Sequence, residues 1–305
     1  MATIGEAINS GLCALQNVLG SEISKGCVTQ IKAAKSIWAI APGEKFNVGE
    51  TFESEKDRLI KAGKLLIFRG VNTFEENGSE DASETLADDT QLITNEGKYK
   101  FTATFTNGLF FNAALHSIKG FRNWNILLVD GTGIYGTKTT NGSLTGFTTG
   151  MIQPAKLAIG TNAAAQKEGL QFQFLEREEL DKDYAFIADS TLRKQKGVTQ
   201  INLSYVNAPS DGDTTLTVKA TLAQDGSVAF GGSTFSDFLF TVGGTTSNPT
   251  AGDDSAKTGT YVLTVPSLST GNEVALKLFK ENASVIVGPD GDYYKSNLLT
   301  TTVVA

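Results

Sequence analysis

The clearest pattern along the chain is the alternation of apolar and polar residues over residues 98–105. Lysines and threonines fall on one face of this extended segment, and the apolar residues Tyr99, Phe101, Ala103 and Phe105 fall on the other. The spacing predicts a strand with one buried and one solvated face. Residues 170–174 alternate in the same way, and residues 64–69 and 124–130 are predicted to be buried strands.

Helical spacing of apolar residues occurs in two places in the first half. One stripe predicts an N-terminal helix that ends near Gly20 and acts as a docking arm: Ile4, Ile8, Leu12, Leu15 and Leu19. A second stripe predicts one short helix that stops before Gly120: Phe111, Ala114, Leu115 and Ile118. Residues 43–63 are charged and rich in turn-forming residues, and no regular element is predicted there.

Residues 75–89 contain seven acidic side chains and hardly any large apolar one. Such a segment cannot bury enough surface to order itself alone. We expect a long acidic loop that is mobile or is ordered only by a neighbouring chain. Its carboxylates do not have the spacing of a calcium-binding loop, so we expect a solvated charge run.

The composition changes at residues 192–197, a short basic and polar stretch. The following residues are rich in Thr, Ser, Gly and Val, and they show short alternating strands about ten residues apart, with turns at Asp225-Gly226 and residues 289–291. This rhythm is typical of an immunoglobulin-like sandwich. The sequence therefore predicts a mainly β protein with two domains, residues 1–195 and residues 196–305.

Composition and charge exclude several classes of function. The 305 residues carry 26 basic and 33 acidic side chains, a net charge of −7, so a broad phosphate-binding surface is not expected. One His, two Cys and two Met leave few metal ligands, and no metal or cofactor is predicted. Cys13 and Cys27 are expected to be reduced thiols. We predict neither an export signal nor a membrane-spanning helix.

One glycine motif needs its context. Residues 131–136 match the G-x-G-x-x-G pattern directly after a predicted strand. A dinucleotide-binding turn must lead into a helix, whereas the residues that follow are β-branched and turn-forming. We predict a hairpin or loop here. Lys138 does not complete a phosphate-binding loop either, because Thr137 separates it from Gly136.

The remaining candidates for catalysis have simpler interpretations. His116 lies beside the apolar stripe of the predicted helix, and we expect a solvated side chain. The carboxylates of residues 176–183 form a charged run without an evident cleft. We assign no catalytic residue, and the chain is not expected to be an enzyme.

The layout of elements resembles that of the tail tube, or major tail, proteins of long-tailed bacteriophages. The resemblance depends on five features: the strand at residues 99–105, the helix at 109–118, the strand and turn at 124–136, the strand at 170–174 with its acidic tail, and the Thr-rich terminal domain. The resemblance implies a β-sandwich tube-type domain with one short flanking helix, followed by an immunoglobulin-like domain.

The resemblance also implies a structural function in the virion. The first domain would form stacked rings, hexameric in this family, and DNA would pass through the tube without specific binding. Other tail proteins would be partners, and assembly would occur in the bacterial cytoplasm. Two alternatives are another virion component, such as a capsid or head decoration protein, and a carbohydrate- or cell-surface-binding module. In the second, exposed aromatic side chains would form a platform: Trp124, Tyr293 and Tyr294.

Overall fold

The computed structural model describes residues 2–8, 31–118, 123–252, 254 and 256–305. The chain divides into two compact units. The first comprises Lys64–Gln195 and the described residues up to Arg58, and the second comprises Lys196–Ala305 with the short segment Leu59–Gly63. The longer segment of the second unit begins at Lys196.

The described part of the first unit contains twelve strands in three sheets. In chain order these are β1 (Ser36–Ile40), β2 (Leu65–Arg69), β3 (Thr73–Glu76), β4 (Ala82–Thr85), β5 (Gln91–Asn95), β6 (Lys100–Phe105), β7 (Asn125–Val129), β8 (Gly133–Lys138), β9 (Leu144–Thr145), β10 (Thr149–Pro154), β11 (Glu168–Phe174) and β12 (Tyr184–Ala188). The larger sheet has the order β12-β8-β7-β1-β2, with β9 paired to β8. The smaller sheet has the order β10-β11-β6-β3, and β4 and β5 form a separate pair.

The larger and smaller sheets share one hydrophobic core. The predicted alternation of β6 is confirmed, because Phe101, Ala103 and Phe105 are buried while the lysine and threonines between them are partly exposed. Their apolar face joins that of β11 and residues of β1 and β7 in a single cluster. Burying two apolar faces against each other removes both from water, and this is the main stabilising force of a sandwich.

The outer face of the larger sheet is also covered. All five residues of β1 are buried, so Trp38 has no contact with solvent although it points away from the sandwich core. The ring of Phe52 stacks on Trp38 at 6.1 Å and on Phe46 at 5.0 Å between centroids. The first unit therefore has a second apolar layer behind its larger sheet.

The helices correct part of the prediction. The four α-helices among the described residues are α1 (Ile4–Ala7), α2 (Phe52–Lys61), α3 (Leu109–Ser117) and α4 (Glu178–Asp181). The predicted short helix is found as α3, but the expectation of a single helix was wrong, because α2 lies in residues 43–63, which are too charged to show an apolar stripe. The predicted continuation of the N-terminal helix to Gly20 lies outside the described residues, as do Cys13 and Cys27.

The acidic segment is not a loop throughout. Glu75 and Glu76 belong to β3, which pairs with β6, and the following residues form the antiparallel hairpin of β4 and β5. The prediction of a loop over residues 75–89 was wrong in this respect. The β-branched residues of β5 lie beyond the acidic run, and they supply the second strand that the acidic run alone lacks.

The second unit is a sandwich of a five-stranded and a four-stranded sheet. Its strands are β13 (Thr199–Tyr205), β14 (Thr215–Leu222), β15 (Phe238–Val242), β16 (Thr245–Ser247), β17 (Thr260–Thr264), β18 (Glu273–Leu278), β19 (Ile286–Val287), β20 (Tyr293–Ser296) and β21 (Leu299–Thr302). The orders are β17-β14-β13-β20-β19 and β16-β15-β18-β21. The strands β17, β14 and β13 take the places of E, B and A in an immunoglobulin domain, and β16, β15, β18 and β21 take those of C′, C, F and G. The mainly β fold class is confirmed.

Candidate assembly surfaces

The hairpin of β4 and β5 together with the residues flanking it, 75–97, is here called the acidic hairpin, and it is built on two tight crossings at its base. A Cβ atom on Gly97 would lie 1.9 Å from the carbonyl oxygen of Ser79, and one on Gly78 would lie 2.5 Å from that of Lys98. Only glycine permits backbones to approach so closely. These two glycines therefore allow the segment that leaves β3 and the segment that returns to β6 to lie side by side.

Charged contacts hold the same base. The Asp81 carboxylate accepts a hydrogen bond from the Gly97 amide at 2.8 Å and pairs with the Arg177 guanidinium at 2.5 Å. The bond from Gly97, aided by Arg177, lowers the pKa of Asp81 below its ordinary value. Arg177 also donates to Asp181 at 2.8 Å, so the base is tied to the turn after β11.

Beyond its base the acidic hairpin is not covered by any of the described residues. All residues of β4 and β5 are exposed. Leu92 and Ile93 are 52% and 57% exposed, and Leu86 at the start of the tip is 44% exposed. Residues 75–97 contain eight carboxylates and no lysine or arginine. The hairpin thus presents both apolar side chains and concentrated negative charge to solvent.

A second exposed segment, residues 155–167, connects β10 to β11 and is here called the basic loop. Ala158 and Lys167 exchange backbone hydrogen bonds at 3.0 Å, which continues the strand pairing beyond the sheet. Ile159 is 79% exposed. The loop contains Lys156 and Lys167, both exposed, and no acidic residue. It therefore combines an apolar tip with positive charge.

The larger and the smaller sheet of the first unit both have open edges among the described strands. The larger sheet ends at β12 and β2, and the smaller at β10 and β3, each paired on one side only among the described strands. Exposed strand edges offer unpaired backbone groups to another chain. The edges, the acidic hairpin and the basic loop are therefore the candidate contact surfaces of this unit.

The glycine motif forms a hairpin turn, as predicted. The strands β7 and β8 pair across it, with no helix following. Asp130 carboxylate oxygen Oδ1 accepts from the Thr132 amide at 2.6 Å, the Thr132 hydroxyl at 2.6 Å and the Gly133 amide at 3.0 Å. Since the chain's own carboxylate engages these turn amides, they are not free to bind a phosphate.

The other candidate residues have structural contacts. His116 is exposed on α3, as predicted. The carboxylates after β11 bind neighbouring elements: Glu179 accepts from the amide and hydroxyl of Thr148 at 2.6 and 2.8 Å, and Asp181 accepts from the Tyr99 hydroxyl at 2.6 Å. This bond, together with burial, raises the pKa of Tyr99 to about 12. These carboxylates stabilise the end of the smaller sheet.

The predicted aromatic platform was wrong. Tyr293 and Tyr294 are only 6% and 8% exposed, and Tyr294 packs in the core of the second unit with its ring 4.6 Å from that of Phe230. Trp124 is half-buried against the core of the first unit. Alternation in a strand did not reveal this burial, because the consecutive residues Tyr293 and Tyr294, on opposite faces of β20, are both covered.

Sequence analysis did not identify the exposed apolar residues of the acidic hairpin or the basic loop. A signal was present in both. Leu92 and Ile93 are consecutive apolar residues in an otherwise polar stretch, and residues 155–167 combine small apolar side chains with positive charge only. Such a segment, polar or small but interrupted by large apolar residues, is typical of a contact surface.

Within the described ranges there is no cluster of three or more His, Cys, Asp or Glu side chains arranged to hold a metal ion. Nor does any helix there have the length and apolar character needed to cross a membrane. No protein-family model matches the chain, and no curated protein matches it significantly. The class that the fold defines is a mainly β protein of two sandwich units, and its function must be inferred from these surfaces.

The crossing at Gly97 gives a direct test of the hairpin base. We expect Gly97→Ala to force Ser79 and Gly97 apart and to break the Asp81 contact, because the added Cβ meets a backbone atom. Proteolysis within residues 82–95 is expected to accelerate about tenfold, which corresponds to about 1.4 kcal/mol of local destabilisation.

Gly49→Ala is the matched control, since a Cβ there meets nothing within 4 Å and its backbone is not left-handed. Limited proteolysis followed by mass spectrometry measures both variants. Equal cleavage rates for Gly97→Ala and the wild type would show that the crossing does not order the hairpin.

Proposed function

We propose that the protein is a structural subunit of a virion that assembles with copies of itself, and specifically a tail tube protein of a long-tailed bacteriophage. In this proposal the first unit forms stacked hexameric rings, and the genome passes through the resulting tube without specific binding. The second unit decorates the tube, and other tail proteins bind the ends of the tube. The chain has no catalytic role.

The observation that supports self-assembly is the uncovered acidic hairpin. An isolated two-stranded hairpin is marginally stable in water, because it lacks a layer to pack on. Burying a Leu or Ile side chain stabilises a complex by up to about 1.5–3 kcal/mol, and this hairpin carries Leu86, Leu92 and Ile93 without cover from the described residues. A neighbouring subunit supplies the missing layer.

The open strand edges support a ring. A contact between two different surfaces of identical subunits closes into a ring when the rotation between subunits is a whole fraction of a turn. Edge strands such as β2 and β12 lie at opposite ends of one sheet, so copies can join side by side through them. The negative net charge of −7 favours passage of DNA rather than its capture.

The alternatives differ in what supports them. Another virion component would use the same surfaces, and the shape of the assembly separates it from a tail tube. The carbohydrate-binding module depended on the platform of Trp124, Tyr293 and Tyr294, and the two tyrosines are buried. The second alternative therefore has no observation in its favour.

The test compares the wild type with the double variant Leu92→Asp/Ile93→Asp at rising concentration. We expect rings or tubes of the wild type in negative-stain electron micrographs. The variant should form no tubes and no species larger than a single layer in sedimentation velocity, because carboxylates replace the apolar contact. Val206→Asp/Val262→Asp is the control, with two exposed apolar residues of the second unit changed in the same way.

A wild type that stays monomeric at every concentration would overturn the proposal. Closed shells would overturn the tail tube in favour of a capsid function. Assembly of the hairpin variant equal to that of the wild type would remove the supporting observation.

A further inference from the structure

The acidic hairpin and the basic loop lie at opposite ends of the same sheet. The hairpin leaves β3 at Glu76 and returns at Lys100, the first residue of β6. In the pairing of β6 with β11, Glu168 faces Phe105, the last residue of β6. The basic loop ends at Lys167, directly before Glu168, so the six-residue strand β6, about 20 Å long, separates the two surfaces.

The two surfaces are complementary in charge. Residues 75–97 carry eight acidic side chains and no basic one, whereas residues 155–167 carry two lysines and no acidic one. Residues 1–195 without the segment 75–97 have 20 basic and 15 acidic side chains, a net charge of +5. The negative charge of the first unit is thus concentrated at the hairpin end.

Both surfaces also expose apolar side chains, large on the hairpin and mostly small on the loop. The hairpin offers large apolar side chains, Leu86, Leu92 and Ile93. The basic loop offers exposed Ile159 beside three consecutive exposed alanines, Ala163, Ala164 and Ala165. Small side chains allow a second backbone to approach closely, and large apolar ones fill the space above them.

We propose that the acidic hairpin of one copy docks on the basic loop of a second copy of this chain. The inference rests on the proposed function and identifies the partner surface. The contact joins unlike ends, so it is head-to-tail and continues in one direction along the strands of the smaller sheet. It stacks one layer of subunits on the next, whereas the edges of the larger sheet remain available for contacts within a layer.

Two blocked variants provide the test. The hairpin variant is Leu92→Asp/Ile93→Asp, which keeps an intact basic loop. The loop variant is Lys156→Glu/Ile159→Asp/Lys167→Glu, which keeps an intact hairpin. Each variant alone should stack more weakly than the wild type, with the concentration for half-maximal stacking raised at least about tenfold. When layers of the two variants are mixed in equal amounts, the intact hairpin of the loop variant can dock on the intact basic loop of the hairpin variant. The outer faces of this pair carry only altered surfaces, so the complex should contain two layers and grow no further.

Sedimentation velocity and electron microscopy measure the size of the mixed complex. Lys219→Glu/Lys295→Glu, two exposed lysines of the second unit, is the control for charge alone and should assemble as the wild type does. Circular dichroism verifies that each variant is folded, which we expect because all changed residues are exposed.

The outcomes separate the two proposals. If the wild type assembles and the loop variant assembles equally well, the docking inference is wrong and the structural function stands. If the two blocked variants do not combine, the head-to-tail pairing is wrong. If the wild type never assembles, both proposals fail.

Discussion

Replacing Trp38 by alanine is expected to lower the free energy of unfolding of the first unit by about 3–5 kcal/mol, the usual cost of removing a buried Trp. Trp38 is fully buried on the outer face of β1, where Phe52 of α2 stacks on its ring. Its indole Nε1 donates a 3.1 Å hydrogen bond to the hydroxyl of Ser36, which donates to the carbonyl of Phe68. The substitution leaves a cavity, removes the support of α2 and leaves Ser36 without its donor.

Differential scanning calorimetry is the suitable measurement, because a chain of two units need not unfold in a single transition. Trp124→Ala is the matched control: it removes the chain's other tryptophan, which is only half-buried, and we expect a smaller loss. A loss for Trp38→Ala no greater than that for Trp124→Ala would show that the layer behind the larger sheet contributes little.

The strands of both units could be predicted from the sequence wherever one face is buried and the other is exposed to solvent. The strands β6, β11, β14 and β18 show this alternation clearly, and burial is the direct cause of the pattern. Strand β1 has no such pattern, because both of its faces are covered. A strand of this kind is not distinguished by periodicity from other short apolar runs.

The helix α2 could not be predicted from apolar spacing because charged residues occupy part of its buried face. Glu55 and Lys56 are almost fully buried, and Glu55 accepts from the Asn47 amide at 2.9 Å and pairs with Arg58 at 2.9 Å. Local signals were present, since Thr51 accepts from the Ser54 amide at the start and Gly63 adopts a positive φ just after the end. Capping residues were more informative here than hydrophobicity.

The candidate surfaces depend on what the fold leaves uncovered. The sequence shows that residues 75–89 are acidic, but only the pairing of β4 with β5 places Leu92 and Ile93 in solvent beside that charge. Likewise, the separation of the acidic hairpin from the basic loop follows from the antiparallel register of β6 and β11. Long-range pairing of this kind is not encoded in any local pattern.

A second large loss of stability is expected from removing the Asp130 carboxylate, which lies at the turn between β7 and β8. The Asp130 carboxylate is buried and accepts hydrogen bonds from Thr132, Gly133 and, through Oδ2, the Lys32 amide at 3.1 Å. We expect Asp130→Ala to destabilise the first unit by about 3 kcal/mol, because several buried donors lose their acceptor at once. Asp225 binds the amide and hydroxyl of Ser227 in an exposed turn, so Asp225→Ala is the control and should have a much smaller effect.

The pH dependence of Asp130 has a defined sign. Burial raises the pKa of this carboxyl, but the bonds from Thr132, Lys32 and Gly133 outweigh it and hold the pKa below the ordinary value of 3.8. A lowered pKa in the folded state means that the stabilisation is complete above that ordinary value and is lost as the pH falls through the folded value. Asp130→Asn lacks this titration and presents an amide donor where Oδ2 accepts. The stability difference between wild type and Asp130→Asn, measured by urea unfolding from pH 7 to pH 2, should therefore shrink on acidification, and a difference that is constant across this range would contradict the role of the ionised carboxylate.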